Sequence, residues 1–197
     1  WIKEVNGGPQ VTGCGAGASP WQPLCDAANS GCTNTDNTTE ALRYESQLGE
    51  ILRAAKIRWP NLKMAFLASR IYGGYAPLTT NPPPVSPEPY AYEYGYSVKW
   101  EIQAQTNQIR TGTVDRVARD LNYNNGTVPW IAWGPYLWAN GTNPRSDGLV
   151  WCDGQAGAPC NGEIDFQSDG THPNAQGIGK VSNLLMCLRH IPLGFET

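Results

Sequence analysis

Two short runs, Met64-Ala65-Phe66-Leu67-Ala68 and Trp130-Ile131-Ala132-Trp133, are apolar at every position and of strand length. A strand with one wet face alternates apolar and polar residues, so an unbroken run needs cover on both faces, as strands of a parallel sheet have. Helical patterns flank these runs. Thr38 or Thr39 is placed to cap a helix whose Ala41, Leu42, Leu48, Ile51, Leu52 and Ala55 recur at helical spacing and which ends at Trp59-Pro60. A second helix is expected from Tyr90 to Gln108, and a short one from Val114 to Leu121. A closing amphipathic helix is expected from Pro173 to His190, with Ile178, Val181, Leu184, Leu185 and Leu188 on its apolar side. Residues 1–5 read as a further short strand that stops at Asn6-Gly7-Gly8-Pro9. The alternation predicts an α/β fold, three-layer α/β/α with a mostly parallel sheet and right-handed crossovers. Three strands are few for such a sheet, and the expectation is a fold incomplete at its N-terminal side, with material before Trp1.

The 197 residues suffice for one domain, spanning 1–197. Only 16% are charged, while 22 Gly and 16 Pro predict long ordered loops. The longest, residues 7–37, is rich in Gly, Pro, Ser, Thr, Asn and Cys and reads as a disulfide-stapled loop. Six cysteines without a Cys-x-x-Cys spacing point to an oxidising compartment, hence a secreted or extracellular protein. Cys152 and Cys160 bracket a flexible loop and are expected to pair. Cys14, Cys25, Cys32 and Cys187 are then expected to be paired as well, by any of three connectivities. Sequons at Asn37, Asn125 and Asn140 fall in turn-rich segments and are glycosylation candidates. A net charge of −3 leaves no electrostatic footprint for nucleic acid. No apolar run is long enough to span a bilayer.

Chemistry concentrates at Asp169-Gly170-Thr171-His172-Pro173, which holds one of the two histidines. A carboxylate three residues before an imidazole, in a turn made by Gly and closed by Pro, folds back to fix the tautomer and stabilise the imidazolium, as an acyl-transfer triad requires. The same residues also serve as a turn and helix start, with Thr171 as N-cap and Pro173 at the first helical position.

Several segments together resemble the SGNH (GDSL-type) hydrolase superfamily, with its flavodoxin-like sheet. They are Trp1-Ile2-Lys3-Glu4, Asn61-Leu62-Lys63, Ser69-Arg70-Ile71-Tyr72-Gly73-Gly74-Tyr75 and Glu88-Pro89-Tyr90-Ala91-Tyr92-Glu93, followed by Val98-Lys99-Trp100, Trp133-Gly134-Pro135-Tyr136-Leu137-Trp138, Arg145-Ser146-Asp147-Gly148-Leu149 and the Asp169–Pro173 stretch. Their order along the whole chain carries the resemblance. It implies a secreted ester hydrolase acting on acyl groups, with carbohydrate esters as substrates, in which Asp169 orients His172 and His172 takes the proton of a serine. Asn6 matches weakly as the oxyanion-hole asparagine. Such chemistry needs no metal or cofactor, because a serine, a histidine and backbone donors suffice. No Gly-Asp-Ser nucleophile motif is present, so the nucleophile is unidentified; Ser69 matches an internal segment of the family and not the nucleophile position.

Among the remaining residues, Arg70 and Lys99 are cations suited to an anionic or polyhydroxylated substrate, or to ion pairs with Glu88, Glu93 or Glu101. Tyr72, Tyr75, Trp100, Trp133, Tyr136 and Trp138 are candidates for a sugar-stacking wall. Glu163, Asp165 and Asp169 fit no calcium loop, and His190 suits a helix C-terminus. The alternative to an enzyme is a non-catalytic extracellular glycoprotein on the same scaffold, a binding module or assembly subunit, in which a second polypeptide completes the sheet at residues 1–5.

Overall fold

The computed structural model describes residues 2–3, 40–75, 88 and 90–188. Its elements run β1 (Ile2–Lys3), α1 (Glu40–Arg58), β2 (Met64–Ala68), α2 (Tyr90–Glu93), α3 (Gly95–Thr111), β3 (Trp130–Trp133) and α4 (Ala175–Leu188). The strands form one parallel sheet in the order β1-β2-β3, with Ile2 opposite Leu67 and Met64 opposite Trp130. The chain is therefore a small α/β protein with a parallel sheet.

Each main element follows from local sequence. Helix α1 buries Ala41, Leu48 and Leu52 on one face. It stops before Pro60, whose missing N–H cannot continue the ladder, and Lys56 Nζ then donates to the carbonyls of Pro60 and Leu62 at 2.8 Å each. Helix α3 ends at Gly112, whose φ of 77° is the left-handed cap that glycine adopts without strain. Ala65 and Leu67 of β2 and Ile131 of β3 pack with Leu48, Leu52, Val98 and Ala104, so α1 and α3 cover one face of the sheet. On the other face Met64 is 38% exposed, short of the two-sided cover its apolar run predicts. A second cluster forms at the C-terminal end of the strands, where Ala68, Ile71, Leu137, Ala139, Trp151 and Phe166 pack with Val181 and Leu184 of α4.

Residues 114–121 depart from expectation, being a turn and not a helix. Asp115 Oδ1 accepts the N–H groups of Val117 and Ala118, Arg119 takes a positive φ of 65°, and Gln108 Oε1 accepts the Leu121 N–H at 2.7 Å. Side-chain acceptors thus capture the donors that a helical ladder would use. Gln105 does the same work at the edge of the sheet. Its Oε1 accepts the Ile131 N–H at 2.8 Å while its Nε2 donates to the Leu121 and Pro129 carbonyls, so a side chain satisfies the Ile131 donor of β3.

A polar cluster lies under α1 and α3. Glu101 is fully buried and Glu45 is 4% exposed, and both oxygens of Glu101 lack a hydrogen-bond partner. Arg53 approaches but gives its Nη1 to the carbonyls of Ala118 and Asp120. Burial, with Glu45 nearby, pushes the Glu101 carboxyl up to about 9; burial, with Asp115 nearby, pushes Glu45 up to about 8. Both are carboxylic acids, not carboxylates, at neutral pH.

The Cys152–Cys160 disulfide is present, with Cα atoms 5.6 Å apart. Cys187, near the end of α4, is exposed and free among the described residues, and the partners expected for it, Cys14, Cys25 and Cys32, lie outside them. No helix among the described residues is long and apolar enough to cross a membrane. Asn6, Asn37, Cys14, Cys25, Cys32, the 7–37 loop and His190 lie outside the described residues.

Candidate active site

The Asp169–His172 turn is built from both ends by backbone pairing. Phe166 bridges Pro173 antiparallel, Gln167 N–H donates to the His172 carbonyl at 2.8 Å, and Gly170, at a φ of 62°, closes the turn with a bond to the Gln167 carbonyl. Asp169 then serves twice. Its Oδ1 accepts the N–H groups of Thr171 and His172 at 2.9 Å each, and its Oδ2 meets His172 Nδ1 at 2.6 Å. The imidazole first, then the two N–H groups, draw the Asp169 carboxyl down to about 2, so it stays ionised across the physiological range. A charged acceptor on Nδ1 assigns the proton to that nitrogen and leaves Nε2 as the base. The His172 side chain is 66% exposed, so Nε2 is open to a reactant from solvent.

The predicted helix cap at Thr171 moves three residues on. Asn174 Oδ1 accepts the N–H groups of Gln176 and Gly177, while its Nδ2 donates to the carbonyls of Ile164 and Phe166, tying the start of α4 to the strand-like segment before the turn. Gly177 sits so close to this segment that a Cβ would lie 2.2 Å from the Asp165 carbonyl oxygen. Asp165, buried, accepts the Cys152 N–H at 2.7 Å and pairs with Lys180 of α4 at 2.6 Å. The acidic stretch is thereby divided: Asp165 anchors α4, Glu163 lies 3.8 Å from the same lysine, and Asp169 holds His172.

The other predicted site residues do not converge on the turn in one cluster. Ser69 is fully buried at the end of β2, where its Oγ accepts the N–H groups of Leu137 at 2.8 Å and Trp138 at 3.4 Å. It staples β2 to the segment after β3. Arg70, expected either to bind substrate or to form an ion pair, is 2% exposed and has a partner, because the chain turns inward after β2 and packs Ile71 into the second cluster. Lys99 is exposed, on α3, with Nζ 5.6 Å from the Tyr96 ring centroid.

The aromatic candidates separate into two groups. Tyr72 and Tyr75 pack edge to face, and Tyr75 contacts Phe166 and donates its hydroxyl to the Trp151 carbonyl at 2.7 Å. They belong to the inner cluster. Trp133 and Tyr136 instead line an open groove of about 170 Å³ with Tyr92, Gly95, Tyr96 and Lys99. Sequence reasoning overlooked Tyr92, Gly95 and Tyr96, although Tyr92, Tyr96 and Trp100 recur every four residues and so share one helical face. Glu88, expected only as an ion-pair partner, instead accepts the Gly73 N–H at 2.8 Å and the Trp138 indole N–H at 2.9 Å, and Arg145, not singled out from sequence, pairs with Asp147 and donates to the carbonyls of Tyr136 and Trp138. Both hold the 136–138 segment in place.

Comparison with family models, with curated proteins and with solved structures finds no match to this chain.

Proposed function

We propose that this chain is a secreted ester hydrolase of the SGNH type, acting on acyl esters of carbohydrate, in which Asp169 and His172 are the carboxylate and base. One observation carries the reading: an ionised carboxylate 2.6 Å from Nδ1 of an imidazole whose side chain is 66% exposed. His172 Nε2 takes the proton of a serine hydroxyl as that oxygen bonds to the ester carbonyl carbon. The proton then passes to the departing alcohol as its C–O bond breaks, and water repeats the cycle on the acyl-enzyme. The proposal places the serine in this chain, outside the described residues, with Asn6 as an oxyanion donor and a three-layer fold around the parallel sheet. The Cys152–Cys160 bond supports an oxidising, extracellular setting. The test is hydrolysis of p-nitrophenyl acetate and acetylated xylan by the full chain and by His172→Ala. Loss in the variant supports the reading, and equal rates remove His172 from it.

A binding module is the second reading, favoured by the packed hydroxyl of Ser69 and by the aromatic groove. Carbohydrate binding with no hydrolysis of any ester by the unmodified chain supports it.

A further inference from the structure

We infer that the groove between α3 and the C-terminal end of β3 is a binding surface for an acidic polysaccharide, whose sugar faces lie on its tyrosine and tryptophan rings and whose carboxylate meets Lys99. The inference rests on the carbohydrate reading above and adds the charge class and the residues.

The surface begins in the sequence. Tyr92, Tyr96 and Trp100 recur at four-residue spacing through α2 and α3, which places them on one side of the helical segment. In the fold their rings follow one another, with centroids 5.7 Å apart for Tyr92 and Tyr96 and 6.0 Å for Tyr96 and Trp100, and Trp138 extends the row 4.6 Å beyond Tyr92. The opposite side is formed by Trp133 and Tyr136, packed edge to face at 5.9 Å. Tyr92 and Tyr136 are each 36% exposed, a display of aromatic surface that marks an interaction site when it is contiguous.

These rings are held before any ligand arrives. Glu88 accepts the Trp138 indole N–H, and the Arg145 guanidinium lies 5.5 Å from the Tyr136 ring centroid. The floor is Gly95. A Cβ there would touch only Ser69 Cβ and Tyr136 Cε2, both at 3.8 Å, so glycine leaves open a space that a larger side chain would occupy.

Size and charge select the ligand. A volume of about 170 Å³ is below the roughly 300–1,000 Å³ of pockets that enclose a small molecule, and the ring row, which runs past the groove at both ends through Trp138 and Trp100, suits one face of a longer chain. Aromatic rings with hydroxyls at their rim match a pyranose, which has an apolar face and hydroxyls at its edge. Among the described side chains no carboxylate pairs with Lys99, the cation of the groove, whereas the Glu88 carboxylate accepts N–H donors. An acidic sugar supplies an anion of the sign that Lys99 attracts.

The experiment titrates the full chain with hexagalacturonate and with a neutral galacto-oligosaccharide of equal length, following tryptophan fluorescence and using His172→Ala to separate binding from turnover. Hexagalacturonate is expected to bind about fivefold more tightly, the scale of one exposed ion pair, and Lys99→Gln to abolish that preference without weakening the neutral ligand. Tyr96→Ala is expected to weaken both by about 2–10-fold. Gly95→Leu, filling the floor, is expected to abolish both, with thermal melts checking that it folds. Equal affinity for the two ligands, an unchanged preference in Lys99→Gln, or tighter binding of an acidic proline-rich peptide would overturn the inference. His172-dependent hydrolysis without hexagalacturonate binding overturns the groove alone. Binding without hydrolysis overturns the hydrolase and leaves the groove.

Discussion

Replacing Glu101 with Gln should make the protein less sensitive to alkali. Glu101 is fully buried between α1 and α3, near Glu45, Asp115 and Arg53, with neither oxygen hydrogen-bonded. Its carboxyl rises from an ordinary 4.5 to about 9, mainly through burial. Between those values the unfolded chain releases a proton that the native protein keeps. Stability is therefore full below pH 4.5 and falls as pH rises towards 9, by about 1.4 kcal/mol per pH unit for each such proton. From pH 5 to pH 8 this one group accounts for about 4 kcal/mol, a large part of the ~5–15 kcal/mol that holds a typical domain. Glutamine has the shape and neutrality of the protonated acid, so Glu101→Gln should match the parent within about 1 kcal/mol at pH 5 and exceed it by about 3–4 kcal/mol at pH 8. Urea unfolding at pH 5, 6, 7 and 8 measures both. Parallel curves for the two proteins would refute the reasoning, since they would mean that Glu101 is ionised or solvated in the native state.

Four further outcomes follow from the geometry. Asp169→Asn keeps the turn's size but presents a neutral group to Nδ1, so ester hydrolysis should fall by about 10²–10⁴-fold in steady-state assays while the melting temperature changes little. Gly177→Ala, despite alanine's better helix propensity, should destabilise by about 2 kcal/mol or more in denaturant melts, because its Cβ meets the Asp165 carbonyl oxygen at 2.2 Å. Removing the Cys152–Cys160 bond with paired alanines opens a loop of sequence separation 8. Chain entropy sets that cost at about 2–3 kcal/mol, read as a lowered urea midpoint. Asn125, exposed at a turn with its Oδ1 accepting from the Thr127 hydroxyl at 2.7 Å, should carry a glycan when the chain is secreted from a glycosylating host, seen by peptide mass spectrometry and lost in Asn125→Gln.

The strands and long helices were legible because each is written locally. The unbroken apolar runs at 64–68 and 130–133 and the 3.6-residue spacing in α1 and α4 need no tertiary context. The 114–121 segment was misread because its backbone donors are taken by Gln108 and Asp115, partners that the apolar pattern does not reveal. The Asp169–His172 contact was legible from a three-residue spacing and a glycine turn, whereas the cap was not, since Asn174 wins through its bonds to Ile164 and Phe166. Arg70 and Lys99 look alike in sequence and differ in the fold because one follows a strand into the interior and the other rides an outer helix face. The groove lay hidden for a related reason: its two walls come from α2–α3 and from the segment after β3, which meet beside Ser69 at the end of β2.

The central claim is that His172 activates a serine. Labelling the full chain with a fluorophosphonate probe, alone and as His172→Ala, and mapping the modified peptide tests it most directly. The account predicts one modified serine, different from the packed Ser69, with labelling lost in the variant. Labelling that is equal in both proteins, or absent from the unmodified chain, would contradict it.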